Sequence, residues 1–252
     1  MHRWPLANWA LILLTCLVSV SLFPSLRRWE NRASFDITFS HGTLVGKYGG
    51  DQPGHVIDDL ILEPGHFRPT QLVGCLFVHE GWLHLLGNMF FLWLFGNAIN
   101  ARLGHLGFLA IYFGTGIFAN IVSLLLGPPV ASLGASGAIM GIMGAFLILY
   151  PLNEARCVYV FIIKVGEKNL ACYWVILFFL AMDLFGLLTG GGSIDHLAHV
   201  SGLFAGAALV AALIYYGKIS THYNEQNLLQ MLGVQPHDLR PAREPESGSP
   251  SE

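Results

Sequence analysis

A serine framed by small residues, Gly134-Ala135-Ser136-Gly137, stands between a Pro-Pro loop and a long apolar run. The first turn of a helix presents backbone N–H groups with no intrahelical partner, and flanking glycines let another backbone approach closely. Such donors can hold a developing oxyanion, so the chemistry open to Ser136 is acyl transfer with its hydroxyl as nucleophile. Taken alone, the motif fits helix packing better than catalysis, because small residues are common where membrane helices touch. Catalysis needs a base and further oxyanion donors from elsewhere in the chain.

Two other stretches carry candidates. The run His79-Glu80-Gly81-Trp82-Leu83-His84 invites a zinc-protease reading. On one helix, however, residues at i and i+5 lie about 140° apart, against about 40° for the i, i+4 pair of a zinc helix. His84 and Asn88 are four residues apart and share a helix face, where both can donate hydrogen bonds. They fit oxyanion donors and equally fit polar glue between helices. Further on, Asp195-His196-Leu197-Ala198-His199 precedes Gly202 and Gly206. Ala198, Gly202 and Gly206 recur every four residues, and Gly137, Gly141 and Ala145 form a matching stripe. Two such stripes can bring their helices together. His199 lies beside one stripe and could accept the proton of Ser136.

The elements that must position these groups are membrane helices. The 252 residues are 54% hydrophobic and 12% charged, with mean hydropathy +0.55. This excludes an ordinary soluble domain and predicts a polytopic membrane protein. The net charge of −3 gives no footprint for nucleic acid. The four cysteines have no paired spacing, so neither a disulfide framework nor a zinc site is indicated. Apolar runs at 6–23, 82–100, 105–126, 136–152, 170–188 and 196–216 predict six spans. Residues 25–71 form a long polar connection, with a strand signal at Phe35-Asp36-Ile37-Thr38-Phe39. The terminal-side loops carry Arg102, Arg156, Lys164 and Lys168, which favours cytoplasmic termini against the opposing Arg27, Arg28 and Arg32. Residues 218–252 read as a polar, disordered tail.

On three motifs the chain resembles the rhomboid intramembrane serine proteases: His79-x4-His84-x3-Asn88, Gly134-x-Ser136-Gly137, and Ala198-His199-x2-Gly202-x3-Gly206. The resemblance covers nearly all of residues 1–217 and implies an all-α, six-transmembrane-helix bundle with a long first loop. It implies Ser136 as nucleophile and His199 as general base, a dyad without a carboxylate. His84, Asn88 and the backbone N–H of Ser136 would form the oxyanion hole. His79 would steady the first loop, with Gly134, Gly137 and Gly202 supporting the site. Substrates would be transmembrane proteins entering sideways from the lipid bilayer, with no metal or organic cofactor. A bacterial cytoplasmic membrane is the expected setting.

The sequence also departs from that pattern. Thr70-Gln71 stands where many members carry Trp-Arg, so anchoring of the first loop is expected to differ. Met140 stands where well-known members place a tyrosine against the catalytic histidine, which would orient His199 less firmly. Asp183 reads as a helix–helix hydrogen bond, Asp195 as a helix N-cap, and His196 as a loop or interface histidine. Two rival readings are a non-catalytic rhomboid-like protein that binds membrane clients and a transporter built around the same polar residues. Against the transporter, the chain has no inverted repeat.

Overall fold

The computed structural model describes residues 4–33, 37–40, 43–46, 56–128, 131–161, 164–190, 194–219 and 225–234. Among these, helix dominates. By length and composition, Leu6–Arg28, Trp82–Leu126, Cys172–Thr189 and His196–Tyr215 can each cross a bilayer. The first lies in α1 (Leu6–Ala33), which runs through Pro24 and past the end expected from hydropathy. Lacking a side chain that would forbid it, Gly104 takes φ 74° and ψ 177° and divides the 45-residue second stretch near the expected boundary between two spans.

That stretch comprises α3 (Trp82–Phe91), a π-helical turn over Leu92–Gly96, and α4 (Asn97–Leu126). The turn is bound to α1 by a buried polar cluster. Asn8 Nδ2 donates to the Leu92 carbonyl at 3.0 Å and to Asn97 Oδ1 at 2.9 Å, and its backbone N–H donates to Asn100 Oδ1 at 3.1 Å. Gly96 leaves the space that Asn8 occupies. These bonds satisfy the Asn8 Nδ2 and backbone N–H donors, which would be costly to bury unpaired.

The centre of the molecule is α5 (Ser136–Leu149). Almost every residue of it is buried, which suits a helix apolar all round. It packs against α4 and α7 (His196–Tyr215), whereas α6 (Cys172–Thr189) is peripheral and exposes Trp174, Phe178, Phe185 and Leu188. The contact between α5 and α7 is made through the two stripes of small residues. A Cβ on Gly202 would collide with the Gly137 carbonyl, one on Gly206 with the Gly141 carbonyl, and one on Gly144 with the Leu203 carbonyl. Backbone meets backbone, as the stripes in the sequence predict.

The structure adds two antiparallel hairpins to this helical frame. In the first, β1 (Ile37–Ser40) pairs with β2 (Thr43–Gly46), within the expected strand region; Phe35 and Asp36 lie outside the described residues. The second pairs β3 (Glu154–Phe161) with β4 (Lys164–Ala171), from Glu154↔Ala171 to Phe161↔Lys164, in a stretch read from sequence as a plain connection.

The first connection continues through short turns and the single turn α2 (Gln71–Gly74). Gln71, noted above as a departure, is its fully buried organiser. Its amide donates to the Asp58 carbonyl at 2.9 Å and the His66 carbonyl at 3.3 Å, and its oxygen accepts from the Arg68 N–H at 3.1 Å and the Glu63 N–H at 3.4 Å.

Part of the expected tail is ordered. Asn227, which is buried, and Gln230 form a reciprocal capping box on α8 (Leu228–Met231). Residues 220–224 and 235–252 lie outside the described residues.

Gly206→Ala tests the close contact directly. Alanine is the better helix former by roughly 1 kcal/mol, yet overpacking is expected to destabilise the protein by about 1–3 kcal/mol. A thermal midpoint in detergent that stays level or rises would mean that the two helices do not touch there.

Candidate active site

Ser136 opens α5, and His199 sits in the first turn of α7. The glycine contact just described brings these two helix ends together, and His199 Nε2 lies 2.7 Å from Ser136 Oγ. The opposite ring nitrogen, Nδ1, lies 2.9 Å from Asp183 Oδ1 on α6. A carboxylate oxygen accepts, so Nδ1 carries the ring proton and Nε2 keeps its lone pair for the serine hydroxyl. This tautomer is the one a general base needs. The expected dyad without a carboxylate therefore differs from the structure, in which a buried carboxylate contacts the histidine.

The chain leading to Ser136 is held by the first connection. Leu62 and Ser132 exchange backbone hydrogen bonds at 3.0 and 2.9 Å. The Gly134 N–H donates to the Cys75 carbonyl at 2.9 Å, and the Ala135 N–H reaches His79 Nε2 at 3.4 Å. Gly134 adopts φ 116°, a region that strongly favours glycine, and a Cβ there would strike the His84 ring. The same construction passes 3.8 Å from Asn88 Nδ2. His84 and Asn88 thus converge beside the residues that lead into Ser136, as their shared helix face predicts. Asn88 Nδ2 is buried and, among the described residues, has no hydrogen-bond partner. An unspent donor near Gly134, two residues before the serine that opens α5, together with the first N–H groups of that helix, makes an arrangement that can receive an oxyanion.

His79 differs from its helical reading. Helix α3 starts only at Trp82, after an extended Gly81, so the i, i+5 separation does not fan the two rings apart. Their centroids are 5.0 Å apart, edge to face. Both His79 nitrogens have protein partners. Nδ1 is 2.9 Å from Ser19 Oγ, Ser19 in turn donates to the Phe77 carbonyl at 2.7 Å, and Nε2 faces the Ala135 N–H. A backbone N–H can only donate, so Nε2 accepts and Nδ1–H donates, which fixes a neutral ring. Ser19, which sequence reasoning missed, thereby ties α1 to the segment entering the serine helix; a lone serine in an apolar run gave no signal of this.

The remaining residues are placed as follows. Asp195 caps α7 as expected, accepting from the Ala198 N–H at 3.0 Å, and its second oxygen takes the Ser123 hydroxyl. His196 is an interface histidine whose Nδ1 lies 2.8 Å from Asp183 Oδ1. Met140 is buried within α5.

The apolar helices form a bundle in which a serine and a histidine meet at the partly buried ends of two closely packed helices. The Rhomboid domain family model matches residues 66–216, and the chain belongs to the rhomboid family. It is 34% identical over 149 residues to Rhomboid-like protein 11, chloroplastic, of Arabidopsis thaliana, covering 56% of this chain and 51% of that protein. It is 32% identical over 145 residues to Rhomboid protein 1, mitochondrial, of Saccharomyces cerevisiae, covering 54% and 39%. Rhomboid-like protease 3 of Toxoplasma gondii is 33% identical over 153 residues, covering 61% and 54%. The chain therefore spans about half the length of these relatives or less.

Burial, and secondarily the neighbouring His84, pushes His79 down to about 3 from an ordinary value of 6.5. Between these values the unfolded chain binds a proton that the folded chain refuses, so stability falls as pH drops through that window. His79→Gln cannot titrate and is expected to flatten this loss. Thermal midpoints at about pH 7.5 and about pH 5 check it; an equal fall in both proteins would mean that His79 is not held neutral.

Proposed function

We propose that this chain is an intramembrane serine endopeptidase that hydrolyses peptide bonds in or near transmembrane segments of other membrane proteins. The single observation that carries the reading is the 2.7 Å contact between Ser136 Oγ and His199 Nε2. The buried Asn88 donor near Gly134, which has no partner among the described residues, supports the same reading. In this mechanism Ser136 attacks the scissile carbonyl carbon as its hydroxyl proton moves to His199 Nε2. Asn88 Nδ2, His84 and the Ser136 N–H receive the oxyanion. The imidazolium then gives its proton to the departing amine, and water, activated by the same nitrogen, releases the acyl group. Peptide hydrolysis consumes water that hydrocarbon excludes, so polar side chains gathered between helices supply the cavity it requires.

The substrates are taken to be single helices entering from the lipid. The Arabidopsis thaliana and Saccharomyces cerevisiae relatives are chloroplastic and mitochondrial by name, and the positive charges at Arg102, Arg156, Lys164 and Lys168 support termini on the cytoplasmic side here.

The test uses the full-length protein in detergent with a fluorescent fluorophosphonate. Wild type is expected to label, and Ser136→Ala and His199→Ala to lose labelling while retaining the wild-type thermal midpoint. Asn88→Ala should reduce the cleavage rate of a transmembrane reporter by about 10²–10³-fold. A folded wild type that does not label would favour a client-binding rhomboid-like protein instead.

A further inference from the structure

We propose that Asp183 is a positioning residue for His199, holding the ring that takes the Ser136 proton in the orientation and tautomer the transfer needs, with His196 holding the carboxylate in place. The proposal rests on the serine–histidine reading above. Asp183 lies on α6 with its side chain 6% exposed, a costly location for a carboxylate unless donors surround it. A purely structural role would be met by any donor on a neighbouring helix. Its partner is instead the nitrogen of His199 opposite the one that faces Ser136, at 2.9 Å.

The surroundings are shaped for this contact. His196 stands one turn before His199 on α7 and brings its Nδ1 to the same oxygen at 2.8 Å. Gly186 stands one turn after Asp183 on α6, and any Cβ there would occupy the His196 ring. Helix α6 thus offers an acceptor and a notch one turn apart, and α7 offers two rings at the same spacing. Among the described residues Asp183 Oδ2 has no partner, so the carboxylate is directed by these two rings. The other nearby acid is not available for the task, since both Asp195 oxygens are engaged at the helix cap.

The chemistry balances without proton transfer to Asp183. As the Ser136 Oγ–carbon bond forms, its proton moves to His199 Nε2 and the ring becomes cationic. The carboxylate stabilises that cation through Nδ1–H and keeps its own charge. The proton leaves on the amine nitrogen as the C–N bond breaks. In the second half, water gives a proton to Nε2 as its oxygen bonds the acyl carbon. That proton returns to Ser136 Oγ when the ester bond breaks. Without the carboxylate the ring is free to turn or to adopt the other tautomer, which has no lone pair for the serine.

Asp183→Asn is the informative variant, because the amide keeps the size and one acceptor oxygen while it removes the charge and replaces the other oxygen with a donor. With the fluorescent fluorophosphonate, the maximal inactivation rate is expected to fall on the order of 10²–10⁴-fold. The half-saturating probe concentration should stay within about twofold, with the thermal midpoint nearly unchanged. His196→Gln should lower the same rate by a smaller factor and serves if Asp183→Asn does not fold. A structural role alone would lower the folded fraction and leave the rate per folded molecule at the wild-type value. That result, or wild-type rates in both variants, overturns the proposal. If Asp183→Asn labels like wild type while Ser136→Ala and His199→Ala do not, positioning by Asp183 fails and the two-residue reading stands. If Ser136→Ala labels like wild type, both fall together.

Discussion

The arrangement depends on backbone contact between α5 and α7. Glycines at 137, 141 and 144 on one helix and at 202 and 206 on the other let main chains touch where side chains would hold them apart. Only then do the first residue of α5 and the fourth of α7 come within hydrogen-bond distance. In hydrocarbon there is no apolar driving force to press helices together, so close van der Waals fit must supply the attraction. The site's geometry is therefore set by residues that take no part in its chemistry.

A second constraint acts from the other side. The segment entering α5 is bonded at Ser132, Gly134 and Ala135 to Leu62, Cys75 and His79 in turn. The connection that provides these partners is itself gathered around one buried glutamine, Gln71. Asn120 on α4 joins it too, donating to the Leu72 carbonyl at 2.8 Å. The serine is thus fixed from below by helix packing and from above by a polar frame, both assembled from residues distant in sequence.

Much of this was legible in the chain. Long apolar runs gave the helices, and four-residue spacing gave both the His84–Asn88 face and the small-residue stripes. Residues whose roles depend on a neighbouring helix were harder to read. Asp183 was seen as a hydrogen-bonding acid, but sequence spacing does not report how α6 is rotated against α7, so its partner was hidden. His79 was placed on a helix because the apolar run follows at once; the extended Gly81 breaks that continuity. In the β3–β4 hairpin Val158, Val160 and Val165 favour strand, but a polar stretch between two apolar runs has the hydropathy of a connection between spans, which hides the pairing. The Asn227–Gln230 capping box was lost in a composition otherwise typical of disorder.

The π-helical turn at Leu92–Gly96 has a consequence for how the bundle can vary. It accommodates one residue more than a regular helix would, and each residue of an α-helix turns the chain by about 100°. The donors His84 and Asn88 lie before the turn, and the asparagines that clasp α1 lie after it. The extra residue thus acts as a phase shift, allowing one end of a continuous rod to look at the serine while the other end looks at Asn8. A chain shortened by one residue within this turn could keep its hydrophobicity, its length across the membrane and all its motifs. It would still have to choose which of the two faces to present correctly.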